Sequence, residues 1–243
     1  MLGLLLSLAV ATPPHVAVAA AADLRYAMED VSKALAGKVV LDVTYGSSGQ
    51  FHAQLTQKAP FDVFLSADAA YPRRLVADGL AKEADVFPYA RGALAVWVPA
   101  DSTLHPEKDG LAALVGARRI SIANPRHAPY GRAAEAALRA TRTYERVQDR
   151  LVMADNAAQA AQMAHQGATD AAITALSLLQ VPSMTSAGRS WRVPADLYAP
   201  VEQAGIILPW AKERAAAETV RAFLTGPEGR AILARHGFAP PGG

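Results

Sequence analysis

The chain has 243 residues, 51% of them hydrophobic and 19% charged, with a net charge of +2 and no cysteine. That is enough apolar material for one large or two small packed domains. The missing cysteine excludes disulfides, thiolate metal sites and cysteine nucleophiles. Basic runs stop at the pairs Arg73-Arg74 and Arg118-Arg119, so no nucleic-acid surface is expected.

The first residues, 1–11, are almost wholly apolar, and Ala9-Val10-Ala11 before Thr12-Pro13-Pro14 fits a small-x-small cleavage site. Residues 1–11 are therefore read as a truncated signal segment without its basic start, which places the protein in the periplasm or otherwise outside the cell. No other segment reaches the ~20 apolar residues of a membrane span. Residues 15–20 read as a buried strand and 24–36 as a helix with Leu24, Ala27, Met28, Val31 and Leu35 on one face. Asp23 is its expected N-cap and Gly37 its stop. Residues 39–44 alternate like a strand and run into Tyr45-Gly46-Ser47-Ser48-Gly49-Gln50-Phe51, a turn into a helix at 51–58. A third strand at 60–68 and a helix at 69–78 complete a β-α-β-α-β-α order, which predicts a parallel sheet with ligands at the carboxyl ends of its strands.

The same logic recurs further on. Strands are expected at 93–99, 119–124, 150–153 and 170–175. Helices are expected at 111–115, 133–140, 157–166 (capped by Asp155-Asn156) and 177–180. Residues 182–200 read as loop, followed by a strand at 202–208 and helices at 212–224 and 230–235. This pattern implies two similar α/β lobes.

Four helix starts carry the chemistry: Asp23-Leu24, Ser47-Ser48-Gly49, Tyr130-Gly131 and Asn156-Ala157. A helix start offers unpaired N–H groups and a positive dipole end, serine adds hydroxyl donors, and glycine admits a ligand close to the backbone. Together they would form an anion site without a fixed positive charge. Taken singly, each is explained as an ordinary cap. Enzyme motifs are poor: no nucleophile elbow, phosphate loop or zinc helix occurs. The six histidines are scattered, and no metal site is expected. Arg132 could meet an anion but is read first as a surface residue, Asp68 as a helix cap, and Asp62 and Glu202 as local hydrogen-bonding partners.

Ala20-Ala21-Ala22-Asp23-Leu24, Thr44 to Gly49, Ala59 to Asp68, Asn124 to Gly131, and the ending from Gly226 to Phe238 resemble the periplasmic molybdate-binding proteins of ABC importers. The match runs in order from His15 to Phe238. The resemblance implies a type II periplasmic binding-protein fold: two Rossmann-like α/β lobes joined by a two-strand hinge. Lobe I would comprise residues 13–92 and 204–243, and lobe II residues 93–203, with hinge crossings near 91–94 and 202–206. It implies a molybdate or tungstate oxyanion held by Asp23, Ser48 with Ser47 beside it, and the backbone N–H groups of Tyr130 and Ala157. No cofactor other than that ligand is implied. The partner would be the membrane permease of an ABC importer and the protein a monomer, acting by lobe closure and not by catalysis. Two positions depart from the pattern. Asp23 stands where many relatives have Ser or Asn, and it is expected to cap its helix with the carboxylate while only its N–H faces the ligand. Ala175 stands where some relatives supply a tyrosine hydroxyl.

Three alternatives stay open. Sulfate or phosphate could be the oxyanion. A small α/β hydrolase or phosphoryl-transfer enzyme would use Ser48 as nucleophile and need a base such as His52 beside it. A cytoplasmic anion sensor would need an effector segment, and no helix-turn-helix is evident.

Overall fold

The computed structural model describes residues 12–242. Ten strands form two five-stranded mixed sheets with helices packed on them. The first sheet has the order β2-β1-β3-β10-β4, built from β1 (His15–Ala21), β2 (Val40–Gly46), β3 (Val63–Ser66), β4 (Val86–Gly92) and β10 (Val201–Ile207). The second has the order β7-β6-β8-β5-β9, from β5 (Leu94–Pro99), β6 (Ile120–Ala123), β7 (Leu151–Ala154), β8 (Ala171–Ala175) and β9 (Gly188–Arg192). In each sheet four strands run the same way and one, β10 or β5, runs antiparallel between two of them. The chain is thus α/β, with two lobes of the same plan, as the strand–helix alternation predicts.

The helices are α1 (Arg25–Leu35), α2 (Ser48–Leu55), α3 (Ala70–Ala77), α4 (Pro106–Asp109), α5 (Pro129–Ala140), α6 (Tyr144–Val147), α7 (Ala157–His165), α8 (Pro182–Ala187), α9 (Arg214–Thr225) and α10 (Pro227–Arg235). α1 buries Ala27, Met28, Val31 and Leu35, the stripe expected from its spacing. It ends before Gly37, whose φ of +83° only glycine adopts without strain. Each lobe has its own core. One lies under β1, α1 and α9, and the other surrounds β5, with Trp97 fully enclosed and its indole N–H donated to the Met184 carbonyl at 3.1 Å. The signal segment expected at residues 1–11 lies outside the described residues. No helix among the described residues is long and apolar enough to cross a membrane.

Two strands were not expected. β4 contains Pro88, and β9 is the polar run Gly-Arg-Ser-Trp-Arg. Both are edge strands, where a missing N–H and a solvated face are tolerated. The chain passes between the sheets at Gly92–Ala93, and again through 193–200. The sequence sets a boundary between Gln203 and Ala204. β10 runs across that point and pairs with β4 from Val201 onward.

Candidate functional site

The loops that leave β1, β2 and β3 and the starts of α5 and α7 meet around one small cavity. Asp23, Ser47, Ser48, Tyr130 and Ala157, the five residues singled out from the sequence, all stand in its wall. Helix geometry explains what the wall presents. Ser48 and Ala157 are the first residues of α2 and α7, and Tyr130 is the second of α5, so their N–H groups have no acceptor within the helix. α5 starts at Pro129, four residues before the expected 133, because proline suits the first helical position. Asn156 caps α7 as expected, its side chain accepting from Gln159 N at 3.0 Å. The wall contains no Lys or Arg among the described residues.

The two serines differ. Ser48 Oγ accepts from Ala67 N at 3.0 Å, so its own proton is available to the cavity. Ser47 Oγ donates to the His127 carbonyl at 2.6 Å and stands 2.9 Å from His127 Nδ1. The Ser47 proton is therefore committed across the cleft, and the imidazole Nδ1 is the donor in the second contact. Tyr130 and Ala157 stand in the cavity wall at the starts of α5 and α7.

Asp23 corrects the expectation most sharply. It does not cap its helix: the chain passes through a 3-10 turn at Ala22–Leu24 before α1, with no side-chain cap. Instead its Oδ2 accepts from the Tyr130 hydroxyl at 2.9 Å and from Gln203 Nε2. Both donors come from elsewhere in the fold. Burial pushes the carboxyl up from 3.8 to about 6, against the pull of Gln203, Tyr130 and the Asp23 and Leu24 N–H groups.

The lobes are drawn together over the cavity. The His127 carbonyl accepts from Gly49 N at 2.9 Å and Tyr71 Oη at 3.4 Å. Ser177 Oγ donates to the Asp23 carbonyl at 2.8 Å. Arg132 is neither a free surface residue nor a residue of the cavity wall. It pairs with Asp68 at 2.5 Å and donates to Tyr71 Oη at 3.1 Å. Asp68 precedes the N-cap position of α3, which is Ala69, and accepts from Ala70 N at 2.8 Å. Asp62 accepts from Ala17 N and Lys212 N, 45 and 150 positions away, so its hydrogen bonds are not the local ones expected. His127, Tyr71, Gln203 and Ser177 were not foreseen. His127 acts through a backbone carbonyl as well as its ring, which residue type does not advertise.

Among the described residues no base is hydrogen bonded to Ser48. Ser48 Oγ has one hydrogen-bond partner among the described residues, the Ala67 N–H, and His52 Nε2 is buried without one. A family model for bacterial extracellular solute-binding proteins matches residues 16–239. This chain belongs to that family. The solute-binding protein is 36% identical over 240 residues to the molybdate-binding protein ModA of Rhodobacter capsulatus, covering 98% of this chain and 93% of that one. It is 32% identical to the molybdate-binding protein ModA of Azotobacter vinelandii, over 92% of this chain and 89% of the relative. The solved structure of an Azotobacter vinelandii periplasmic molybdate-binding protein superposes with a TM-score of 0.85 at 31% identity, covering 93% of this chain and 99% of that one. These relatives are named for binding, not for a reaction. The α/β fold of two lobes is thus that of a solute-binding protein, and its cavity lies between them. Among the described residues no cluster of three His, Asp or Glu could hold a metal cation.

Proposed function

We propose that this solute-binding protein captures molybdate, and tungstate with it, as the tetrahedral oxyanion, and delivers it as an exported monomer to the membrane permease of an ABC importer. The observation that carries the reading is the meeting of three helix N-termini and the Ser48 hydroxyl on one cavity without Lys or Arg. Such a site contacts the oxygens of the anion through N–H and O–H donors and does not ligate the metal itself. Neutral, fixed donors discriminate by size and shape, since a smaller anion leaves buried donors unpaired, at about 1–3 kcal/mol each. Contacts from His127 to Gly49, Ser47 and Tyr71 would form as the lobes close, which shields the ligand from water. The names of the relatives point the same way.

Titration calorimetry with molybdate, tungstate, sulfate and phosphate tests the reading. One-to-one binding of the first two alone supports it. Binding of sulfate or phosphate in their place keeps the site and changes its ligand, and no binding of any of them overturns the reading.

A further inference from the structure

We infer that Asp23 meets the oxyanion as a neutral carboxylic acid, its Oδ1 hydroxyl donating to a ligand oxygen, so that capture of each dianion takes up one proton. The inference rests on the binding role proposed above for the cavity. Asp23 is 2% exposed and stands in the cavity wall. Its two oxygens are treated differently by the fold. Oδ2 accepts from the Tyr130 hydroxyl and from Gln203 Nε2. Gln203 is held in that sense because its Oε1 accepts from Tyr89 Oη at 2.8 Å. Two donors occupy the two lone pairs of Oδ2, so a proton on this carboxyl belongs on Oδ1.

Oδ1 is buried and makes no hydrogen bond of proper geometry, the Asp23 and Leu24 N–H groups exerting only the weakest pulls on the carboxyl. A buried carboxylate oxygen left without a donor is costly, and such groups in native proteins have a reason. Protonation turns Oδ1 into a donor, and the acceptor the cavity would bring to it is an oxygen of the bound anion. The alternative, an ionised Asp23 beside a dianion, sets like charges against each other where water does not screen them. Neither partner of Asp23 is a cation, and no Lys or Arg of the described residues lines the cavity. The titratable groups that face Asp23 are the phenols of Tyr130 and Tyr89, with Tyr198 near Tyr130. Burial and the Asp23 charge push Tyr89 and Tyr130 well above their ordinary values, so they keep their protons. The proton therefore comes from solvent. With the lobes drawn together burial raises the Asp23 carboxyl to about 6, and a neighbouring dianion raises it further. The balance is a carboxylate, one proton and the dianion giving a carboxylic acid hydrogen bonded to the dianion, with no other bond made or broken.

The test is a calorimetric titration with sodium molybdate from about pH 6 to about pH 8.5, each pH in two buffers of different ionisation enthalpy. The wild-type dissociation constant should rise above about pH 6 with a slope approaching tenfold per pH unit, the signature of one linked proton. Near pH 8 the two buffers should report uptake of one proton per molybdate. Asp23→Asn places an amide donor where the Oδ1 hydroxyl would be, so it should bind without a pH slope, without proton uptake, and more tightly than wild type near pH 8. Wild-type affinity that is flat with pH, with no proton taken up, overturns the inference while leaving the site standing. So does an Asp23→Asn protein that keeps the wild-type slope. Failure of the binding role looks different: neither protein then binds molybdate at any pH, and the inference falls with it.

Discussion

Tyr130 donates its phenolic proton to Asp23 Oδ2 over 2.9 Å, joining residues 107 positions apart and the two lobes of the fold. The carboxyl that receives it is raised from 3.8 to about 6, chiefly by burial. A carboxyl raised by folding stabilises the protein fully below its unfolded value, and that stabilisation is lost as pH rises through the folded one. The window here is about pH 4 to 6, and the shift corresponds to about 3 kcal/mol. Asp23→Asn should therefore be more stable than wild type near pH 8, with the advantage shrinking toward pH 4. Urea unfolding of both proteins at the two pH values checks this, and the difference between them removes the effect of other titrating groups.

Ser48 and Ser47 are neighbours with separate duties. Ser48 keeps its proton for the cavity because Ala67 N supplies its other hydrogen bond. Ser48→Ala should cost about 1–3 kcal/mol of molybdate binding, the usual loss for a buried partner. Ser47 spends its proton on the His127 carbonyl, so Ser47→Ala should loosen closure and cost about 1 kcal/mol or less. Dissociation constants for the two variants, measured side by side, decide. Equal losses would mean that both hydroxyls serve one role.

What could be read in the sequence follows the range of the forces involved. β1 and β3 are buried along nearly their whole length, so their apolar runs announce strands without any knowledge of the neighbours. β4 and β9 are edge strands whose proline and charges argue against a strand until the rest of the sheet is in place. Helix starts are local events, so Ser48, Tyr130 and Ala157 were legible as N–H donors. The partners of Asp23 were not. Gln203 lies 180 positions away and Tyr130 107, and a local cap was the natural reading of an aspartate before a helix. His127 escaped for another reason: its carbonyl accepts from Ser47, Gly49 and Tyr71, and any residue has a carbonyl.

Arg132 and Asp68 pair between α5 and the loop before α3, and their side chains are 41% and 30% exposed. Water and salt screen such a pair, so its worth is small, about 0–1 kcal/mol. Arg132→Gln should weaken molybdate binding less than tenfold, and the gap from wild type should narrow at high salt. Titrations at about 0.05 M and about 0.5 M sodium chloride read this directly. A large loss that ignores salt would instead give Arg132 a direct part in holding the anion.

Gly49 and Gly131 separate closure from folding. A Cβ on Gly49 would stand 2.6 Å from the His127 carbonyl oxygen, an atom of the opposite lobe, and 2.7 Å from Tyr71 Oη, the movable end of a side chain. With the lobes apart only the second obstacle remains, and alanine suits the helical position better than glycine. Gly49→Ala should therefore leave the melting temperature of the unliganded protein unchanged or slightly raised, while molybdate binding falls at least about tenfold, near 1.4 kcal/mol. A Cβ on Gly131 would run into the Ala123 carbonyl and stand 2.9 Å from Pro125 N, both within the second lobe. Gly131→Ala must then push α5 off β6 whether or not ligand is present, and should cost about 1–3 kcal/mol of stability. Thermal melts without molybdate and titrations with it distinguish the two variants. If Gly49→Ala binds as tightly as wild type, the approach of His127 to Gly49 is not part of the bound state, and closure must stop short of it.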